Sequence, residues 1–288
     1  SSLQLIFTEI SKSDYSLSMR TLFIIPLVLM SLVSYPSWSE KFLGKQCVHG
    51  QGIPGVTNFP VKLTHEKTIL KEGCQHVSAV NGVQPINGNR MVMITLPPNY
   101  CSRDDGWDDC STDRSRIEFY DQNGVSSKST VTYDYWMFIP SDTDLLQGGY
   151  PNSYLGQLNT VAGSLYRSLV MVRWGRRGLI FQLYDNFSWS NYQSYVVKKL
   201  FPEKEQKDRW INIKYVVDVY DDDKGNIEIF VDGESLVKKE NYPTIKPGGK
   251  IKLKMGIYDY RVSDMGSERT TQKIYFDNIK KSVKQRWN

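Results

Sequence analysis

The stretch "KLKMGIYDYR", Lys252 to Arg261, alternates so that Ile251, Leu253, Met255 and Ile257 share one side. Lys252, Lys254, Gly256, Tyr258 and Tyr260 share the other, because successive strand side chains point to opposite faces. A phenol beside a cation can move protons, since nearby positive charge favours its ionised form. In "RSRIEFY", Ile117 and Phe119 point one way and Arg114, Arg116, Glu118 and Tyr120 the other, so that Glu118 can hold the Arg116 guanidinium in position. In "YLGQLNTV", strict alternation puts Gln157 and Asn159 on a face with Leu155 and Val161. Carboxamides among aliphatic neighbours need hydrogen-bond partners once covered, either from adjacent strands or from a ligand.

One chemistry uses all three segments. In β-elimination from a uronate sugar, a base takes the proton at C5 beside the carboxylate and the glycosidic oxygen at C4 then leaves. The carbon acid ionises only if the carboxylate charge is neutralised as the enolate-like intermediate forms. On this reading Arg116, Gln157 and Asn159 neutralise the carboxylate, Tyr258 moves the proton and Lys254 tunes it. Each segment also has an ordinary explanation: lysines keep a solvent-facing strand soluble, and an exposed Arg–Glu pair contributes little.

The elements that must position these residues are strands. Runs at 91–96, 116–120, 129–139, 154–161, 168–174, 179–184, 210–220, 226–233, 250–260 and 273–279 alternate or are continuously apolar, with turn signals such as "DDDKGN" and "KPGGK" between them. Helical periodicity is confined to one short helix expected near "NYQSYVVKKLF". The expected fold is all-β: a jelly-roll sandwich of two large antiparallel sheets filling a single domain, residues 40–288. The segment from 40 to about 89 is rich in glycine and proline and should hold one or two strands.

Residues 1–39 read as an upstream extension followed by a signal peptide: Met19 and Arg20, the apolar run "TLFIIPLVLMSLV", and small residues ahead of Glu40. The run falls short of the ~20 residues a membrane span needs, so no stable membrane insertion is expected. Export to the periplasm or the exterior makes disulfides the natural state of Cys47, Cys74, Cys101 and Cys110, with 47–74 and 101–110 favoured by proximity. Zinc is the competing use of "CVHG" and "CQH", but the spacing fits no closed zinc site. The 288-residue chain carries a net charge of +5 and is 12% aromatic, which permits an anionic partner without requiring one. Export and disulfides argue against nucleic acid. A monomer needing no cofactor is expected, with Asp277 or the acidic loop "RDDGWDD" as donors to a structural calcium ion.

"RSRIEF", "YDYWMFIP", "GQLN", the "WINIKYVVDV…GNIEIFVDGESLV" meander and "KLKMGIYDYR" occur in the order and rough spacing of the jelly-roll polysaccharide lyases. The set most resembles the heparin lyase I-like group, with jelly-roll alginate lyases as more distant relatives. The resemblance covers about residues 90 to 283. It implies a concanavalin-like sandwich with a concave, sugar-binding sheet. It also implies Tyr258 as catalytic tyrosine, Lys254 as its lysine, Arg116 and Glu118 as the arginine strand, and Gln157 as a carboxylate contact. Asn159 stands where many relatives carry histidine; asparagine can hold a carboxylate but is no base at neutral pH. The chain's histidines, His49, His65 and His76, all lie in the N-terminal part, so Tyr258 is expected to be both base and acid.

Lys252, Arg173, Tyr260 and Arg261 are further candidates for an anionic polysaccharide, through charge and ring stacking. Two rival readings remain. A lectin-like sandwich would bind the glycan without making an unsaturated product. A glycoside hydrolase would need two carboxylates across a cleft, and Asp232 and Glu234 fall in a turn signal instead.

Overall fold

The computed structural model describes residues 56–57, 61–63 and 73–286, apart from 87, 89, 99, 102, 105, 106, 122, 146–151, 164, 186–190, 198–201 and 266–268. All of these fall in one compact unit, Pro36–Asn288. The expected signal peptide, Cys47, His49 and His65 lie outside the described residues, as does the side chain of His76.

Two large sheets carry the fold. The first runs, in spatial order, β16 (Glu234–Lys239), β15 (Asn226–Val231), β14 (Trp210–Val219), β9 (Ser129–Phe138), β18 (Gln272–Gln285), β4 (Met91–Leu96) and β3 (Cys74–Val77), with β1 (Val56–Thr57) beside β18. The second runs β13 (Tyr192–Val196), β12 (Gly178–Tyr184), β11 (Leu165–Gly175), β10 (Asn152–Ala162), β17 (Lys250–Tyr260), β7 (Arg114–Asp121) and β2 (Val61–Leu63), with β8 (Val125–Ser126) beside β17. A separate small hairpin joins β5 (Arg103–Asp104) to β6 (Trp107–Asp108). Pairing within the sheets is antiparallel except for β1 on β18.

The core follows from alternation. Ile211, Ile213, Tyr215, Val217 and Val219 of β14 are fully buried, as are Val131, Tyr133, Tyr135 and Met137 of β9. From the second sheet they meet Ile117 and Phe119, Leu155 and Leu158, Val170, Val172 and Trp174, and Ile251, Leu253, Met255 and Ile257. Each such side chain contributes about 1.5–3 kcal/mol on burial. A polar strut crosses this core: Asp121 of β7 accepts from the Tyr133 hydroxyl of β9 at 2.7 Å and from Lys281 Nζ of β18 at 2.6 Å. The pairing satisfies charges that burial would otherwise make costly.

Two expectations are corrected. Within the segment expected to be helical, Tyr192–Val196 forms β13, the edge strand of the second sheet, paired with β12 from Ile180↔Val196 to Tyr184↔Tyr192. Aromatic and β-branched residues in "YQSYV" fit a pleated edge and override the weak helical spacing. The N-terminal part contributes three short strands, β1 to β3, where one or two were expected. Among the described residues the helical elements are short 3₁₀ turns, including Glu203–Glu205 and Val262–Met265.

Candidate active site

β10, β17 and β7 lie side by side in the middle of the second sheet. Register aligns Tyr154↔Tyr258 and Tyr258↔Arg116 in one lateral row, with Arg173 of β11 opposite Tyr154. A second row runs Gln182, Met171, Gln157, Lys254 and Tyr120 across five strands. Tyr154, Met171, Tyr184 and Tyr258, with Tyr260 against them, form a cluster of their own, separate from the sandwich core. The site residues therefore share the outer face of this sheet.

Tyr258 stacks on Tyr154, ring centroids 5.6 Å apart at 27°, and the Arg116 guanidinium lies over its ring at 4.2 Å. Arg116 Nε donates to Asp109 Oδ2 at 2.9 Å and Oδ1 at 3.1 Å, and Nη2 donates to Oδ1 at 2.7 Å. Glu118, expected to be the arginine's holder, is farther, at 3.8 Å from Nη1. Burial pushes the Tyr258 phenol up to about 12, against the pull of Arg116 and Arg114. Positive charge does not win here, because a ring 9% exposed loses more hydration than the cations restore. Burial works against the charge of Arg116 as well, but Glu118 and Asp109 together raise its pKa.

The carboxamides form a chain with one direction. Ser168 Oγ donates to Asn159 Oδ1 at 2.8 Å, Asn159 Nδ2 to Gln157 Oε1 at 3.4 Å, and Gln157 Nε2 to Glu118 Oε1 at 2.8 Å. Glu118 thus orients the Gln157 amide, and each amide nitrogen has a second hydrogen for an incoming acceptor. Lys254 Nζ lies over the rings of Tyr166 at 5.2 Å and Tyr120 at 5.9 Å. Burial lowers its pKa, opposed by Glu118. The cations that act on Tyr258 are Arg116 and Arg114, and Lys254 serves the neighbouring row.

A family model described as polysaccharide lyase matches residues 85–280. The chain belongs to the polysaccharide lyase family. A solved endo-β-1,4-glucuronan lyase from the fungus Trichoderma reesei superposes with a TM-score of 0.55 at 14% identity, covering 83% of this chain and 94% of that one. An alginate lyase, vAL-1 from Chlorella virus, gives 0.47 at 13% identity, covering 79% and 93%. A search of curated proteins finds no match. The lyase is thus a two-sheet jelly roll, and its grouping is with polysaccharide lyases at large; nothing in these matches selects the heparin lyase I-like group.

The lyase places its other predicted residues unevenly. Lys252 lies over Tyr120 at 5.7 Å, beside Lys254, and burial lowers its pKa. Arg173 reaches Asn152 Oδ1 at 3.4 Å and flanks the Tyr154 end of the row. Tyr260 lies in the next row, opposite Arg114 and Asn152, with the Arg114 guanidinium 5.4 Å from its ring centroid. Arg261 sits past the end of β17 with φ 59°, its guanidinium 4.0 Å from Asp264, at the margin of the site. Asp232 lies in the turn between β15 and β16 of the first sheet, as the sequence reading expected, bonded by Arg209 and by the Asn212 N–H at 2.8 Å. Cys101 and Cys110 form a disulfide, and Cys74 is also disulfide-bonded; its expected partner, Cys47, lies outside the described residues.

Calcium is held by oxygen donors such as carboxylates, and of the acidic loop expected to supply them the side chains of residues 103–107 lie outside the described residues. Asp277 accepts the N–H of Ile86 and of Asn278, each at 2.6 Å. Calcium takes six to eight oxygens, and among the described residues no three acidic, histidine or cysteine side chains converge. No chemistry below runs through a metal.

Strict alternation fails at two places. Bulges fall between Tyr154 and Gly156, and between Leu158 and Asn159 opposite Val170 and Ser168. Leu155 and Leu169 therefore enter the core instead of sharing the faces of Gln157 and Arg173, while Tyr154 and Ser168 turn outward to the site. Tyr154 and Asp109 are the functional residues that sequence reasoning missed. Gly156, a glycine inside a strand, was the available signal for the first bulge.

Proposed function

We propose that this lyase cleaves a uronic-acid-containing polysaccharide by β-elimination, with Tyr258 as acid and base. The observation that carries the reading is the Arg116 guanidinium on the Tyr258 ring, beside the oriented Gln157–Asn159 amides on the same face. The sugar carboxylate lies against the spare amide N–H groups of Gln157 and Asn159. Arg116 adds positive charge, largely through its field, because the Nε–Nη2 edge of its guanidinium is held by Asp109 and Nη1 faces Glu118. The Tyr258 phenolate takes the C5 proton, and the C5–H pair becomes the C4–C5 double bond as the C4–O4 bond breaks. The pair from that bond stays on O4, which receives the proton back from the Tyr258 hydroxyl.

The resemblance of the motifs keeps heparin-like chains among the substrates to be tried, beside glucuronan and alginate. Export as a monomer, without a required cofactor, completes the proposal. The experiment is a panel of these polysaccharides assayed by ultraviolet absorbance of the unsaturated product, with Tyr258→Phe as control. Product from wild type and none from the variant is expected; full activity in Tyr258→Phe refutes the assignment. Asn159, in place of a base, favours one second reading, a lectin-like sandwich. Saturable binding of a polymer with no unsaturated product would establish it.

A further inference from the structure

Asp109 is a carboxylate the elimination does not touch, yet it is fully buried. Such a group is tolerable only when paired, and its described partner is Arg116, gripped along the Nε–Nη2 edge. That grip holds the guanidinium carbon over the Tyr258 ring, 4.2 Å from its centroid. Asp109 is itself held by a cross-linked loop. Cys110, its neighbour, is bonded to Cys101. The Asp109 carbonyl accepts the Arg114 N–H at 2.9 Å, at the first residue of β7. Asp108 accepts the Ser111 N–H at 2.9 Å and the Thr112 hydroxyl at 2.8 Å.

We propose that Asp109 is a positioning residue for the elimination, and that the Cys101–Cys110 disulfide is a strap that keeps Arg116 over the Tyr258 ring. The inference rests on the proposed elimination. A dithiol reductant that reached the strap would give up two electrons and two protons, leaving two cysteine thiols and closing its own disulfide. Arg116 would then lose its anchor while the sheet stays paired, and turnover would fall.

The test uses the full chain as wild type, Asp109→Asn, Arg116→Lys, their double variant, and Cys101→Ser/Cys110→Ser. Two readouts are taken: kcat and KM on the best polymer of the panel, and the NMR signal of the Arg116 Nε–H, assigned by its loss in Arg116→Lys. Asp109→Asn should lower kcat at least about tenfold with KM within about threefold, and should shift that signal and speed its exchange with solvent. If Asp109 acts mainly through Arg116, the double variant should be little worse than Arg116→Lys alone. Unchanged kcat, or losses that multiply in the double variant, would overturn the proposal. If Asp109→Asn does not fold, the cysteine double variant decides: a kcat at least about threefold down with the same Nε–H change supports the strap, and wild-type values for both refute it. Should the wild type make no product from any polymer, the elimination reading fails, and the Nε–H signal alone judges whether Asp109 fixes Arg116.

Discussion

Tyr258 keeps its proton well above neutrality because burial outweighs the arginines beside it. If its phenolate is the base, kcat/KM should climb with pH between about 7 and about 10, since that ratio reports ionisations of the free enzyme. A profile that falls over this range would contradict the assignment. Tyr258→Phe should lower turnover by at least about 10³-fold with the thermal midpoint nearly unchanged, as only a hydroxyl on the outer face is lost. Activity and thermal melts on the same preparation check both. Residue types on this face were legible because β7 and β17 alternate without interruption around Arg116, Glu118, Lys254 and Tyr258. Asp109 was not: its link to Arg116 depends on how a disulfide loop folds back, which no periodicity records.

At the scale of elements, Gly256 joins β17 to β7. Its φ is +144°, and a Cβ there would stand 2.2 Å from the Ile117 carbonyl oxygen. Gly256→Ala should cost about 2–4 kcal/mol in urea unfolding, from backbone strain and the steric conflict. Three residues on, Asp259 is buried with Ser153 Oγ at 2.7 Å and Arg269 at 2.8 Å, and burial lifts its pKa to about 6 despite those partners. The native state then holds a proton that the unfolded chain has released. Stability from this group is complete below about pH 4 and is lost as pH rises through about 6, by about 1–3 kcal/mol. Asp259→Asn should flatten that part of the stability curve, measured by urea titration at several pH values. Long strands such as β9 and β14 were readable from their alternation. β13 was not, because a five-residue edge strand next to a lysine pair offers too short a pattern to separate from a helix.

Over the whole molecule, a net charge of +5 and the cations Lys252, Lys254, Arg116 and Arg173, spread over neighbouring rows of the second sheet, suit a polyanion. KM should rise severalfold between about 0.05 M and about 0.5 M salt, with kcat little changed, because screening weakens encounter more than chemistry. Steady-state assays across that series check it. The two-sheet plan was legible from the count and spacing of strands. The order of strands within the sheets was not, because pairings such as β10 with β17 join segments about a hundred residues apart and leave no local trace.

The extra residue in β10 acts as a phase shift in the strand. Without Leu155 the strand would alternate regularly, Gln157 outward, Gly156 inward and Tyr154 still outward, so the site face would survive while the sandwich lost a leucine. A homologous chain compared through this strand has to keep the offset as a unit, since a gap placed one position away exchanges lining for filling.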